Sequence, residues 1–226
     1  MVSWLTLLTL AITLPIAFII WGGSIAWIFY GFLVWISSVG IKIVLAWQGN
    51  LLLSKSGLLA KAITNGIISA VSELGLAALA LIFIGTTNVD IPDIMLYAVS
   101  AGVTELLVIS IYGMFEKREP ETVKKWKISA KHCFLARNLF PIERMVALIG
   151  HIGSRGLVGI AIIKGYLWPI TVALITFSTT DGLANYGVLK NWDWFNGTIL
   201  KNFLLATGSL ALIELVLLIT IILFLS

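Results

Sequence analysis

Six ionisable residues stand where a bilayer-spanning helix would ordinarily carry leucine or valine: Glu73, Glu105, Glu143, His151, Asp181 and Glu214. Each falls within one of seven long apolar stretches, at about 3–20, 25–47, 57–84, 94–115, 140–163, 167–186 and 203–225. A charge at the bilayer centre costs about 3 kcal/mol on insertion scales and more by simulation, so such residues face a bundle interior or a wet cavity. The expected fold is therefore all-α: a polytopic transmembrane bundle of about seven spanning helices around a polar centre.

Composition agrees. Of 226 residues, 59% are hydrophobic and 12% charged, with a mean hydropathy of +1.04. A soluble domain is about 45–50% apolar and about 25% charged. Each span takes about 20 residues. Seven spans with short loops use nearly the whole chain, so 1–226 reads as a single integral membrane domain. One cysteine, Cys133, excludes an internal disulfide and a cysteine-rich metal site. No basic segment precedes the first apolar run, which reads as a retained helix rather than a cleaved signal.

Lysine and arginine placement sets the expected orientation. The basic loop at 116–137 holds Lys117, Arg118, Lys124, Lys125, Lys127, Lys131 and Arg137. Lys55, Lys61, Lys190 and Lys201 fall on the same side, whereas the other side carries Asp90, Asp93 and only Lys164. The N-terminus is thus expected in the cytoplasm and the C-terminus outside a cell membrane crossed several times. Trp4, Trp47, Trp192 and Trp194 would mark the inner boundary, and Trp21, Trp27 and Trp168 the outer. The net charge of +4 comes mostly from the one loop, so it bears on topology and not on nucleic acid. Within that loop Pro120 suits a first helical turn. Val123, Trp126 and Ala130 then share one face, and Lys124, Lys127 and Lys131 another. The pattern is that of a short basic amphipathic helix resting on anionic headgroups.

The stretch from Phe140 to Gly156 is the richest in chemistry. Arg144 and His151 are two turns apart and share a face, which Arg155 continues. Glu143, Ala147, Gly150 and Ser154 form the neighbouring stripe. Gly150, Gly153, Gly156 and Gly159 offer a smooth surface for close helix approach. Glu73 and Glu105 lie near the middles of their helices, and Asp181 lies in the inner half of its own. Glu73, Glu105, His151 and Asp181 can therefore share a depth, as general acid–base chemistry requires.

Other polar residues have plainer readings. Lys42 and Lys164 read as snorkelling side chains near helix ends. Glu143 with Arg144 is either a boundary ion pair or part of a site, and Glu214 either joins helices or functions. His132 carries no site. The Asn196-Gly197-Thr198 sequon falls in a loop expected to be cytoplasmic. A catalytic zinc usually takes three protein ligands. Here His151 would need two carboxylates beside it, and HExxH is absent, so a metal is left open and no cofactor is implied.

Ile142-Glu143-Arg144, followed by Ala147, His151 and Ser154, resembles the ER…A…H…S pattern of the YhfC-type membrane peptidases, distant relatives of the PrsW-type and CAAX-processing intramembrane glutamic peptidases. Ala70-Val71-Ser72-Glu73-Leu74-Gly75 resembles the family segment with a Glu-Glu pair and a following arginine. Ser100 to Glu105 resembles a GHGGxE-like segment, and the stretch through Asp181 an H-x-x-x-D segment. The resemblance implies a helical bundle that cuts a peptide bond at membrane depth. Glu73 would activate water, His151 would polarise the carbonyl, Asp181 would orient it or the water, and Glu105, Glu143 and Arg144 would shape the site. The polar set is incomplete: Ser72, Leu76, Ala101 and Phe177 replace family glutamate, arginine and two histidines. The implied protein is a peptidase or a pseudo-enzyme that keeps the fold, acting on a membrane-anchored peptide, protein or partner helix. A proton- or cation-coupled transporter, or a membrane subunit of a larger complex, is the alternative from another class.

Overall fold

The computed structural model describes residues 4–84, 89–115 and 120–225. Lys117 and Arg118 of the basic loop lie outside the described residues. Among the described residues every regular element is helical: α1 (Trp4–Ile20), α2 (Ala26–Leu52), α3 (Leu58–Ile84), α4 (Ile91–Phe115), α5 (Pro120–His132), α6 (Phe134–Arg137), α7 (Leu139–Lys164), α8 (Trp168–Leu189) and α9 (Gly197–Leu225).

Local chemistry sets several boundaries. Pro120 opens α5 and Pro169 occupies the first turn of α8, where a missing N–H costs nothing. Gly165 closes α7 with φ 72°, a left-handed cap that a side chain would strain. Asp93, in the first turn of α4, accepts the Ser24 N–H at 2.8 Å and so ties the start of α2 to the start of α4. Two helices run past the sequence estimate: α2 continues to Leu52 and α9 begins at Gly197.

Five helices are long and apolar enough to cross a membrane: Ala26–Leu52, Leu58–Ile84, Ile91–Tyr112, Leu139–Lys164 and Gly197–Phe224. These mark a membrane protein. The other two expected spans differ from them for separate reasons. The apolar helix α1 has 17 residues, about 25 Å at 1.5 Å each, short of a hydrocarbon core of about 30 Å. The helix α8 is long enough, with 22 residues, but Thr176, Ser178, Thr179, Thr180, Asp181 and Asn185 make it polar.

Cross-helix contacts fix the directions. Gly31 meets Tyr97 and Ser100, and Trp35 meets Glu105, so α2 and α4 run parallel. Gly159 meets Ile94 while Gly102 meets Leu148 and His151, so α7 runs antiparallel to α4. Gly153 and Gly156 meet Glu214 and Leu218, so α9 runs parallel to α7. The starts of α3, α7 and α9 therefore share one end of the bundle with α5 and α6. At this end Ala136, Leu200, Phe203 and Leu204 form a small core under Trp192 and Trp194. The main apolar core takes in Leu81, Leu96, Tyr97, Leu157 and Leu218 in the opposite half. Trp27, expected in an interfacial belt, is instead buried in that core with its ring edge-on to Tyr97.

Small residues bring the backbones together where apolar burial between helices gives no advantage over lipid. The closest approach joins α3 to α8: a Cβ on Gly66 would sit 2.9 Å from the Gly182 Cα and closer still to the Ser178 carbonyl. We expect Gly66→Ala to destabilise the fold by about 1–3 kcal/mol, the usual cost of overpacking. Gly40→Ala, with open space around it, should change little. Thermal unfolding in detergent micelles checks both, and equal midpoints for the two variants would refute the packing assignment.

Candidate active site

Four elements each bring one of the principal polar side chains to a common place: Glu73 from α3, Glu105 from α4, His151 from α7 and Asp181 from α8. They line one cavity of about 120 Å³. A water takes about 30 Å³ of liquid volume, so the space suits a few waters or a small part of a larger ligand. Glu143 and Arg144 also line it, at the end nearest α5, and Phe203, Thr207 and Glu214 of α9 close the side.

Ion pairs and hydrogen bonds link these groups without a gap. Lys42 Nζ lies 2.8 Å from Asp181 Oδ2 and 2.9 Å from Glu73 Oε1. Glu73 Oε2 takes a hydrogen bond from Arg155 Nη2 at 2.8 Å. Arg155 Nη1 meets His151 Nδ1, and His151 Nε2 meets Glu105 Oε2. Glu105 Oε1 then receives Arg144 Nη1 at 2.9 Å, and Arg144 also pairs with Glu143. Trp35 Nε1 donates to Glu105 Oε2 at 3.3 Å, and Ser69 donates to Asp181. The middle of this series is buried and its ends are partly exposed. The Arg155 side chain is fully buried and that of Glu73 is 3% exposed, while those of Lys42 and Glu143 are about a third exposed.

Hydrogen-bond chemistry assigns the imidazole tautomer. A guanidinium offers donors only. His151 Nδ1 must therefore accept from Arg155, which leaves the ring proton on Nε2, facing Glu105. The ring is steadied from the side by Phe177, edge-on at 5.6 Å between centroids. Arg155 stacks near the same phenyl ring, 6.0 Å from its centroid. The backbone approach that permits this is made by Gly102, where a Cβ would meet the His151 Cβ at 3.1 Å.

One ligand atom each from Glu73, Glu105 and His151 lie within 4.8 Å of one another, a spacing that could hold a metal ion. Protein donors already face each of the three side chains: Lys42 and Arg155 on Glu73, Arg144 and Trp35 on Glu105, Arg155 on His151. A divalent cation would have to displace positive groups from the carboxylates it needs. The donor set thus fits a side-chain-neutralised centre better than a metal one.

The sequence-predicted residues fall into three positions. Glu73, Glu105, His151 and Asp181 come together around the cavity. Glu143 and Arg144 form its outer edge as a local pair. Glu214 is buried against the same cavity and accepts a hydrogen bond from Thr176. Lys42 corrects the sequence reading: it does not snorkel from a helix end. α2 runs ten residues beyond it to Leu52, and its ammonium turns inward to two carboxylates. The signal was present, since Lys42 continues the spacing of the buried residues Gly31, Trp35 and Ser38. Arg155 is likewise central: its guanidinium, brought by α7, pairs with Glu73 of α3. Comparison with protein-family models, curated proteins and solved structures finds no match to this chain.

Removing one member of a buried ion pair leaves an uncompensated charge, at a cost of about 3–5 kcal/mol. Arg155→Met and Glu73→Gln should each destabilise the protein on that scale, and the double variant should lose clearly less than their sum. Unfolding free energies measured in mixed micelles test this. Additive losses would mean that the two side chains do not stabilise each other.

Proposed function

We propose that this chain is an intramembrane peptidase-like hydrolase whose substrate is a membrane-anchored peptide or protein. The supporting observation is the convergence of Glu73, Glu105, His151 and Asp181 from four helices on one small polar cavity. The resemblance of the Glu143–Ser154 stretch to the YhfC-type peptidases points the same way.

In this proposal Glu73 is the general base. Each carboxylate oxygen has two lone pairs, so Oε2 can accept a water proton while holding Arg155. The water oxygen attacks the peptide carbonyl carbon, and its proton passes to Glu73. The carbon–nitrogen bond then breaks as the amine takes up a proton, leaving a carboxylic acid and an amine. Glu73 then gives the proton it has taken to the leaving nitrogen, and the Glu105–His151 pair holds Arg155 against Glu73. Asp181, beside Lys42, orients the water. Arg144 and Glu143 hold Glu105 in place.

A relay for protons or a cation is the second reading. The favouring observation is the unbroken sequence Asp181–Lys42–Glu73–Arg155–His151–Glu105–Arg144–Glu143. Against it, both outer members of that sequence lie toward the α5 end. The far half of the bundle is closed by Leu81, Leu96 and Leu157. A one-ended polar pocket suits a reaction chamber better than a through-path.

We also propose that α1 and α8 complete seven spans and that the α5 end faces the cytoplasm of a cell-membrane protein. Lys55, Lys61, Lys124, Lys125, Lys127, Lys131, Lys190 and Lys201 all cluster at this end, in keeping with the positive-inside rule. In a Cys133→Ser background, Lys124→Cys should react with an impermeant maleimide in inverted vesicles and stay unlabelled in intact cells. The opposite pattern would reverse the orientation.

Cleavage of a membrane-anchored reporter in proteoliposomes tests the catalytic proposal. Glu73→Gln should reduce turnover per folded molecule by about 10²–10⁴-fold, the range for loss of general acid–base catalysis. His151→Ala should fall similarly. If wild-type vesicles instead pass protons or a cation down a gradient and leave every reporter intact, the relay takes its place.

A further inference from the structure

We propose that Lys42 is the group that binds the substrate's carbonyl oxygen and stabilises the oxyanion formed from it, a role that rests on the peptidase function above. Tetrahedral intermediates need N–H donors aimed at the developing negative oxygen, and these donors usually supply a large share of the rate.

The imidazole and the two guanidiniums at the site are held by other groups or shielded. His151 has Nε2 on Glu105 and Nδ1 on Arg155. Arg144 donates three of its five N–H groups to Glu105 and Glu143, and its side chain is only 10% exposed. Arg155 has no exposed side-chain surface from which to reach a ligand. Lys42 differs in three ways. Its ammonium has three N–H donors, and two carboxylate oxygens, Glu73 Oε1 and Asp181 Oδ2, account for two of them. Its side chain is 31% exposed, and it lines the cavity. The remaining N–H is thus the donor free to meet an oxygen entering the cavity.

Its position also matches the geometry of the step. Lys42 bridges the proposed base, Glu73, and the proposed water-orienting acid, Asp181. A carbonyl oxygen held on Nζ therefore brings its carbon next to a water held between the same two carboxylates. Reacting atoms must approach to about 3–3.5 Å for such an attack. A cation shared between base and electrophile needs no rearrangement as charge moves from water to oxyanion. The peptide carbonyl loses its double bond to the attacking oxygen and regains it when the amine leaves, and Lys42 gains and loses no proton.

The test compares wild type, Lys42→Met and Lys42→Arg in proteoliposomes that carry a membrane-anchored reporter. It also measures their affinity for a phosphinic analogue of the reporter peptide, whose anionic oxygens imitate the intermediate, and for the uncleaved amide peptide. Lys42→Met should lower kcat by about 10²–10³-fold with little change in KM, as for loss of an oxyanion donor. It should bind the phosphinic peptide at least tenfold more weakly and the amide peptide about equally. Lys42→Arg should retain part of both. Wild-type cleavage with undiminished turnover by Lys42→Met overturns the Lys42 assignment and leaves the peptidase function standing. Absence of wild-type cleavage, together with equal binding of both peptides, overturns the peptidase function and the assignment with it. Should Lys42→Met fail to fold, acylation of Lys42 in the wild-type protein decides: protection by the phosphinic peptide supports the assignment, and unchanged acylation overturns it.

Discussion

Glu73 is held between two cations, Lys42 on one oxygen and Arg155 on the other, and the rest of the polar centre depends on that arrangement. A lone carboxylate at this depth would be prohibitively costly, as would a lone guanidinium. Neither cation belongs to the helix of Glu73. Neutralising it therefore fixes α2 and α7 against α3, and Lys42 extends the same constraint to α8 through Asp181. Three helix pairs are registered by one ammonium and one guanidinium.

This requirement accounts for how the helices pack. Lipid tails are as apolar as leucine, so hydrophobic burial alone gives helices little reason to choose each other. Small residues allow the approach, and charge pairing sets its register. Gly66 lets α3 and α8 touch along their backbones, which places Ser69 and Asp181 within hydrogen-bonding reach. Gly102 does the same for α4 and α7, where His151 meets Glu105. The site is thus built from close-packed glycines as much as from its acids. Leu81, Leu96 and Leu157 pack the half of the bundle away from α5, beyond these polar groups.

Much of this was legible beforehand. The apolar stretches between their glycine and proline breaks gave most of the helices to within a few residues, because a bilayer demands a span of roughly fixed length. Acids and a histidine at membrane depth gave the candidate centre, because lipid penalises them so heavily. Lys42 was misread because its position was judged from an apparent helix end, and α2 proved longer. Arg155 was seen on the right face of α7, but its partner was not. Trp27 was placed in a belt by residue type and proved to be core, since tryptophan packs as readily against Tyr97 as against headgroups.

A single chain of residues carries information about cost: how apolar each stretch is, and which side chains cannot be left facing lipid. That information determined the helical class and nominated Glu73, Glu105, His151 and Asp181. It held nothing about which acid meets which cation, because pairs such as Lys42–Asp181 and Glu73–Arg155 are separated by dozens of residues and joined only when helices from distant parts of the chain pack. The tertiary structure decided those pairings, because each depends on distances between helices that no local pattern encodes.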